Sequence, residues 1–261
     1  MAYWRILIDM MFSALQSFFK LIIAVGLSVF FIVFSNRLVH AVVQGNADQS
    51  FIHNSVMVLD NRGNVCSGVV IRQDVVLTAA HCVATASDWR IHWRDENNVP
   101  ILVQPKHVKI HPQYNSKAIK NRSISIDMAL VKLSEPLPSQ FWPIALSDVQ
   151  ELSVGDPVIV AGYGLSDEKN SKALGKFRSA TLSVIEPYGK SKIILWLEDP
   201  LSAGAGGCHG DSGGPLIHNG SVIGITAWTT GKERSDCGVY TQGSLISPQR
   251  DWIESVIKSW F

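Results

Sequence analysis

Three polar residues have the side-chain types that nucleophilic catalysis needs. His81 lies in Thr-Ala-Ala-His-Cys, Asp127 in Ile-Asp-Met-Ala-Leu, and Ser212 in Gly-Asp-Ser-Gly-Gly-Pro. A serine hydroxyl is a weak nucleophile, so acyl transfer needs a base that takes its proton and a third group that fixes the tautomer of that base. The three residues could fill these roles, although Gly-Asp-Ser-Gly alone is also an ordinary turn sequence.

The order of these residues excludes one class of hydrolase. The glycines around Ser212 also match the Gly-x-Ser-x-Gly pattern of the α/β-hydrolases, in which an acid and then a histidine follow the serine. Here the only histidine beyond Ser212 is His218, and no acid lies between the two. The base and the acid therefore precede the serine.

With these three motifs in this order, residues 42–261 resemble the chymotrypsin/trypsin family of serine endopeptidases. The resemblance implies that His81 is the general base, that Asp127 orients it and that Ser212 is the nucleophile. It also implies an oxyanion hole made by the backbone N–H groups of Gly210 and Ser212, with glycine allowing the first amide to face the substrate carbonyl. The alternatives are an inactive homologue used for binding, which usually lacks a triad residue, and an esterase with little peptide cleavage.

The pattern of apolar residues predicts an all-β fold. Short β-branched runs separated by Gly, Pro, Asn and Asp recur at residues 55–59, 69–71, 75–77, 158–160 and 222–228. The resemblance implies two packed six-stranded antiparallel β-barrels, at about residues 42–143 and 144–261, with the active site between them. Residues 248–261 repeat apolar side chains at helical spacing after Pro248, which predicts a C-terminal α-helix.

Residues 1–41 have the pattern of a signal peptide. A largely apolar run at residues 21–34 follows Lys20, and Val39-His40-Ala41 has small or branched residues at the two positions that a signal peptidase reads. An uncleaved membrane anchor extending back to Phe12 is the alternative. Met10 and Met11 leave the true start open. A secreted or periplasmic location is expected.

Charge and composition restrict the partners. The chain has 23 Lys and Arg against 22 Asp and Glu, and it stays close to neutral without residues 1–41. Binding to nucleic acid would need a basic face or stripe, so none is expected. The expected partners are protein or peptide substrates, with membrane contact only through the signal segment, and the protein is expected to be a monomer.

The cleavage product has a specific role in this family. Val42-Val43-Gln44-Gly45 resembles the mature terminus of the family, whose ammonium pairs with the aspartate before the nucleophile, here Asp211. Most relatives carry a basic residue immediately before this terminus, whereas here the nearest is Arg37. We therefore hypothesise that the signal peptidase is itself the activator. This simple arrangement favours a bacterial source.

Substrate specificity is also inferred from the resemblance. The residues that it implies at the substrate are Gly206, Gly207, His209, Ala227, Trp228, Thr229 and Gly238. Gly206 matches the pocket floor and carries no carboxylate, while Thr229 stands where open pockets have glycine. These two residues predict that the pocket prefers an uncharged, small to medium side chain of the substrate. Asp236 could instead enter the pocket and restore a basic preference, and His209 could contact substrate or face solvent. Ala227 replaces a serine whose hydroxyl reaches the catalytic aspartate.

Four cysteines in an exported chain favour two disulfides, because no C-x-x-C spacing is present for metal or redox chemistry. Sequence alone allows three pairings, and the resemblance implies Cys66–Cys82 and Cys208–Cys237. His107 and His111 are four residues apart, a spacing that could suggest a metal pair, but Pro112 argues against a helix there. The implied chemistry needs no metal or organic cofactor.

Overall fold

The computed structural model describes residues 49–84, 88–121, 123–149, 151–232 and 235–261. The predicted signal segment and Val42 lie outside this part of the chain. No helix within these ranges is long and apolar enough to cross a membrane. The boundaries predicted at residue 41 and near residue 143 stay predictions.

Seven antiparallel strands form the first sheet. They are β1 (Ser55–Asp60), β2 (Val65–Arg72), β3 (Val75–Thr78), β4 (Trp89–Arg94), β5 (Pro100–Val103), β6 (Pro105–Ile110) and β7 (Ala129–Leu133). Their order across the sheet is β5-β4-β1-β2-β3-β7-β6. The central strands are rich in β-branched residues, which suit a pleated and buried surface.

Six further antiparallel strands form a closed barrel. They are β8 (Pro157–Gly162), β9 (Arg178–Ile185), β10 (Ile194–Glu198), β11 (Pro215–His218), β12 (Ser221–Thr230) and β13 (Tyr240–Leu245). They close in the order β10-β13-β12-β11-β8-β9. Val158, Val160, Leu182, Leu197 and Leu216 fill the interior. The all-β prediction is confirmed, and this barrel has the six strands that were expected.

The first sheet differs from the closed six-stranded barrel that was expected. Its two edge strands, β5 and β6, follow one another in the chain and are separated only by Gln104. The chain connection through Gln104 therefore joins the two edges of the sheet. Proline has no N–H to donate to a neighbouring strand, so Pro105 favours a break where one long strand would otherwise continue.

Three short α-helices complete the described structure: α1 (Ala80–Ala84), α2 (Ala118–Asn121) and α3 (Arg250–Lys258). The predicted C-terminal helix corresponds to α3, which a 3-10 turn at Ser247–Gln249 precedes. Pro248 lies in this turn. Proline has no N–H, and an N–H at the start of a helix would have no hydrogen-bond acceptor within the helix. Ile253 and Val256 are the buried residues of α3.

A shared core joins the two sheets. In β3, Val76 packs into the interior of the first sheet, whereas Val75 and Leu77 face a cluster that includes Ile225 of the closed barrel and Ile253 of α3. Successive side chains of a strand point to opposite faces, so both faces of β3 are buried. This explains its uninterrupted apolar sequence and places the end of β3 at the junction of the sheets.

Candidate active site

The histidine follows β3 directly. Ala79 and Ala80 are completely buried and lead into α1, which carries His81 in its first turn. Its neighbour Cys82 forms a disulfide with Cys66 of β2. The helix is therefore held at the junction of the two sheets by buried alanines on one side and a covalent bond on the other.

Asp127 contacts His81 at two points. The Nδ1 atom of His81 lies 2.6 Å from Oδ2 of Asp127, and the backbone N–H of His81 donates to Oδ1 across 2.9 Å. The flanking side chains Ile126 and Met128 are buried in the shared core, which fixes the intervening residue. A carboxylate at Nδ1 stabilises the tautomer with its proton on that nitrogen, so that Nε2 is the basic atom.

Ala227 lies on β12 at a register irregularity between Thr226 and Trp228, and its predicted place beside Asp127 stays a prediction. Tyr114 lies in the region of Asp127. Burial raises the pKa of the Tyr114 phenol, and the negative charge of Asp127 raises it further. The phenol therefore stays neutral and keeps its proton available for hydrogen bonding at the pH where such an enzyme works.

Ser212 lies in a tight turn before β11. The carbonyl oxygen of Ser212 accepts from the N–H of Ser67 across 2.8 Å, and Gly213 donates to the carbonyl of Thr226 across 2.7 Å. Gly213 has a φ of +80°, and a Cβ there would lie 2.2 Å from Oγ1 of Thr78. Only glycine suits this position, because both the backbone conformation and the space exclude a side chain.

The peptide between His209 and Gly210 is oriented by its own hydrogen bond. The carbonyl of His209 accepts from the N–H of Leu165 across 2.9 Å. In a trans peptide the C=O and N–H groups point in opposite directions, so the N–H of Gly210 points away from Leu165. Gly210 has a φ of +102°, which favours glycine. This orientation agrees with the oxyanion role that was predicted for the Gly210 amide.

Sequence reasoning missed Ser67, which supports this loop from the first sheet. Its buried hydroxyl donates to the carbonyl of Gly210 across 2.8 Å and accepts from the N–H of Tyr163 across 2.9 Å. Its own backbone N–H donates to the carbonyl oxygen of Ser212. The only sequence feature that could have identified it is a polar residue inside the strand that contains Cys66.

Asp211 is completely buried beside the nucleophile. Its Oδ1 accepts from the N–H of Gly164 across 2.8 Å, and its Oδ2 accepts from the N–H of Cys208 across 2.9 Å. Burial raises the pKa of Asp211 to about 6, while the bonds from Cys208 and Gly164 and the charge of Arg178 oppose that rise. Val42 lies outside the described residues, so its ion pair with Asp211 stays a prediction.

Four of the predicted pocket residues lie side by side. A Cβ on Gly206 would lie 3.1 Å from the Cα of Gly238, and a Cβ on Gly207 would lie 2.8 Å from Cγ2 of Thr229. The Cys208–Cys237 disulfide joins the two chain segments that carry these residues. The described structure thus contains both disulfides that the resemblance implied, and the methyl group of Thr229 narrows the space beside Gly207.

Asp236 lies at the surface rather than in this pocket. Its side chain is 74% exposed, and its Oδ2 lies 3.6 Å from Nε2 of His209. Glu168 lies 3.7 Å from the same nitrogen and accepts from the Ser235 hydroxyl across 2.6 Å. The His209 side chain is 58% exposed. His209 therefore lies between two carboxylates immediately before Gly210.

The remaining predicted residues have simple environments. Trp228 is partly exposed on β12 and makes an edge contact with Trp196 of β10. The two spaced histidines pack against the C-terminal segment, where His107 stacks on Trp260 and His111 makes an edge contact with Trp252. Aromatic packing therefore accounts for their spacing.

The junction of the two β-sheets holds a histidine paired with an aspartate, a serine in a glycine turn and a loop of oriented amides. These features together are typical of serine hydrolases. The family model for trypsin matches residues 42–253. The chain belongs to the trypsin family of serine endopeptidases, which hydrolyse protein or peptide substrates.

Relatives in animals are similar over most of the chain. Trypsin of Sarcophaga bullata is 31% identical over 210 residues, which cover 74% of this chain and 79% of that protein. The vitellin-degrading protease of Bombyx mori is 30% identical over 223 residues, covering 77% and 80%. Trypsin-3 of Salmo salar is 29% identical and covers 74% and 83%. These relatives do not support the expectation of a bacterial source.

Two solved structures share the fold. Mouse neuropsin, a serine protease expressed in the limbic system of the brain, has a TM-score of 0.65 at 22% identity and covers 78% of this chain and 94% of its own. An inactivated protease paralogue of the scabies mite has a TM-score of 0.66 at 23% identity, covering 82% and 99%. Because one of them is inactivated, the shared fold alone does not establish catalysis.

Proposed function

We propose that this protein is an exported serine endopeptidase that cleaves peptide bonds through an acyl-enzyme on Ser212. In this mechanism the Ser212 hydroxyl attacks the peptide carbonyl and transfers its proton to Nε2 of His81. His81 then gives that proton to the departing amine. Water, deprotonated by His81, releases the acyl group and regenerates the serine. The backbone N–H groups of Gly210 and Ser212 stabilise the oxyanion.

The two-point contact between His81 and Asp127 carries this proposal. A single hydrogen bond leaves a ring free to pivot, whereas the backbone and ring bonds of 2.9 and 2.6 Å together hold the imidazole in one orientation. An aspartate in this position also stabilises the imidazolium that forms during the reaction. The turn that bears Ser212 is bound to the same sheet through Ser67.

We further propose that the enzyme prefers an uncharged, small to medium side chain before the scissile bond. Gly206 brings no charge to the pocket floor, and the methyl group of Thr229 reduces the space beside Gly207. The surface position of the Asp236 carboxylate argues against a basic preference. The substrate backbone would pair with the strand that starts at Trp228, which is a common mode of peptide recognition.

Export and activation form the last part of the proposal. Residues 1–41 act as a signal peptide, and cleavage after Ala41 frees the ammonium of Val42 to pair with Asp211. The complete burial of the Asp211 carboxylate supports this step, because an uncompensated buried charge is costly.

A fluorophosphonate, which modifies an activated serine, tests the proposal. The secreted protein is treated with the probe, and mass spectrometry identifies the modified residue and the N-terminus. Label on Ser212 with Val42 as the first residue is expected, with the Ser212→Ala variant as the unlabelled control. An unlabelled protein that begins at Val42 would support a binding module, as the inactivated relative illustrates. If the probe labels Ser212 but the protein does not digest casein, the result would support an esterase.

A further inference from the structure

The buried carboxylate of Asp211 faces one particular surface of the closed barrel. A Cβ built on Gly162 would lie 2.5 Å from Oδ1 of Asp211, and one on Gly164 would lie 2.5 Å from its Cγ. The absence of side chains at these glycines makes room for the carboxylate. The Cβ direction of Gly162 therefore identifies the face of β8 on which Asp211 lies.

Arg178 shares that face. In the antiparallel pair of β8 and β9, Gly162 stands directly opposite Arg178. Cross-strand partners direct their side chains to the same face of a sheet. The Arg178 side chain consequently leaves β9 on the face that holds Asp211.

The guanidinium of Arg178 is held in a partly buried position. One of its nitrogens, Nη1, donates to the carbonyl of Ala173 across 2.7 Å and to that of Lys176 across 3.3 Å. Burial lowers the pKa of Arg178, and the negative charge of Asp211 raises it. The effect is reciprocal, since the charge of Arg178 favours the ionised form of Asp211. A partly buried guanidinium and a fully buried carboxylate on the same face therefore each favour the charged form of the other.

We propose that Arg178 is a positioning residue that keeps Asp211 ionised and so maintains the oxyanion loop even when no ammonium is bound to Asp211. The carboxylate must be charged to accept both backbone N–H bonds, from Gly164 and from Cys208, at full strength. The bond from Cys208 fixes the turn that continues through Gly210. Arg178 therefore acts on the loop through Asp211 and touches no reacting atom.

This inference rests on the proposed function and changes one of its consequences. If the ammonium of Val42 were the sole cation acting on Asp211, a chain with a different terminus would lose its oxyanion loop. With Arg178 in place, such a chain keeps part of its activity. Cleavage after residue 41 then increases activity rather than creating it.

A double-mutant cycle tests this redundancy in the secreted protein. Val42→Gly weakens anchoring of the terminus, because glycine has no side chain to pack, and Arg178→Met removes the second charge while keeping an apolar stem. If both cations act on Asp211, Val42→Gly should lower kcat/KM more in the Arg178→Met variant than in the parent protein. The additional loss should be roughly fivefold or more. Strictly multiplicative effects would overturn the proposal.

Two variants separate charge from packing. Arg178→Lys keeps the charge and should retain most of the activity and the parental coupling to Val42. Lys176→Met removes an equal charge from an exposed side chain two residues away and should change neither. Equal losses in Arg178→Lys and Arg178→Met would assign Arg178 a structural role alone.

A measurement that needs no catalysis distinguishes failure of this inference from failure of the proposed function. Carbon-13 NMR follows the Asp211 carboxyl through a pH titration, with Asp211→Asn to assign the signal. The pKa of this carboxyl should be higher in Arg178→Met than in the parent protein, whether or not either hydrolyses peptides. An unchanged pKa would overturn the proposal even in an active enzyme. A raised pKa in a protein that fluorophosphonate fails to label would reject the protease function alone.

Discussion

The hydroxyl of Ser67 donates a hydrogen bond to the carbonyl oxygen of Gly210 across 2.8 Å, although the two residues are 143 positions apart in the chain. Ser67 belongs to the first sheet, whereas Gly210 belongs to the loop before the closed barrel's strand β11. The bond therefore joins the half of the protein that carries His81 to the loop beside Ser212.

Replacing Ser67 with alanine should weaken this junction. The change leaves the carbonyl of Gly210 and the N–H of Tyr163 buried without their present partner, at a cost of about 1 to 3 kcal/mol each. We expect kcat to fall more than KM rises, because the loop is proposed to stabilise a charge that develops during the reaction. Kinetics with a peptide substrate check this. Ser55→Ala is the matched control, since the buried Ser55 hydroxyl has no hydrogen-bond partner among the described residues, and equal losses in both variants would contradict the prediction.

Replacing Asp127 with asparagine should nearly abolish turnover. The amide can favour the wrong tautomer of His81 while preserving its position, an effect of about 10⁴-fold in kcat for a triad of this kind. Burst and steady-state kinetics measure the loss. Asp148→Asn removes an exposed carboxylate that pairs with Arg250 and should leave kcat unchanged. A loss below about tenfold in Asp127→Asn would mean that the aspartate does not orient the base.

Replacing Thr229 with glycine should widen the pocket. The Cγ2 methyl group beside Gly207 is removed, so substrates with phenylalanine before the scissile bond should gain relative to those with alanine by roughly tenfold in kcat/KM. A series of peptides that differ only at this residue measures the ratio. Thr230→Ala, one position further along β12, serves as the control. An unchanged ratio in Thr229→Gly would mean that Thr229 does not limit substrate size.

Replacing Asp236 with alanine should leave the preference between arginine and leucine substrates unchanged within about twofold. The carboxylate is largely exposed, and an exposed charge is screened by water and salt. Paired assays of the two peptides in the parent and the variant give the comparison. A selective loss of the arginine substrate would show that Asp236 enters the pocket when substrate binds.

Because of Asp60, the free energy of unfolding should depend on pH in the acid range. Burial favours its neutral form, but hydrogen bonds from Asn64 and Arg62 outweigh that effect and lower the pKa of Asp60 to about 2. A carboxyl group with a lowered pKa in the folded state stabilises that state at pH values above its unfolded pKa of 3.8. This contribution is lost as pH falls from 3.8 through the folded pKa of about 2.

The Asp60→Asn variant measures this contribution. Denaturant unfolding at pH 7 should show a loss on the order of 1 to 2 kcal/mol, and the difference from the parent should shrink as pH falls from 3.8 through about 2. Asp88→Asn, which removes an exposed partner of Arg90, should have little effect at either pH. A pH-independent loss in Asp60→Asn would assign the effect to packing.

Local sequence patterns predicted the fold class and the family, and both are confirmed. The β-branched runs reflect strands with buried faces, as the alternating contacts of β3 illustrate. The helix α3 followed from apolar spacing after Pro248. The roles of the triad and pocket residues stay predictions, although the structure brings His81 and Asp127 into contact.

Features that depend on register across the sheets could not be predicted. Ser67 became recognisable only when β2 was seen beside the loop of Gly210. The position of Arg178 became informative only through its pairing with Gly162. These relationships join residues far apart in the chain, and no local periodicity records them.

The support of Ser212 has a consequence for biosynthesis. Gly213 donates its N–H to the carbonyl of Thr226, so the turn around the proposed nucleophile needs a strand that the ribosome makes after it. A nascent chain can fold its N-terminal sheet first and join His81 to Asp127 while Ser212 still lacks this strand. Proteolytic competence would then be among the last properties that the polypeptide acquires, which protects the cell that makes it.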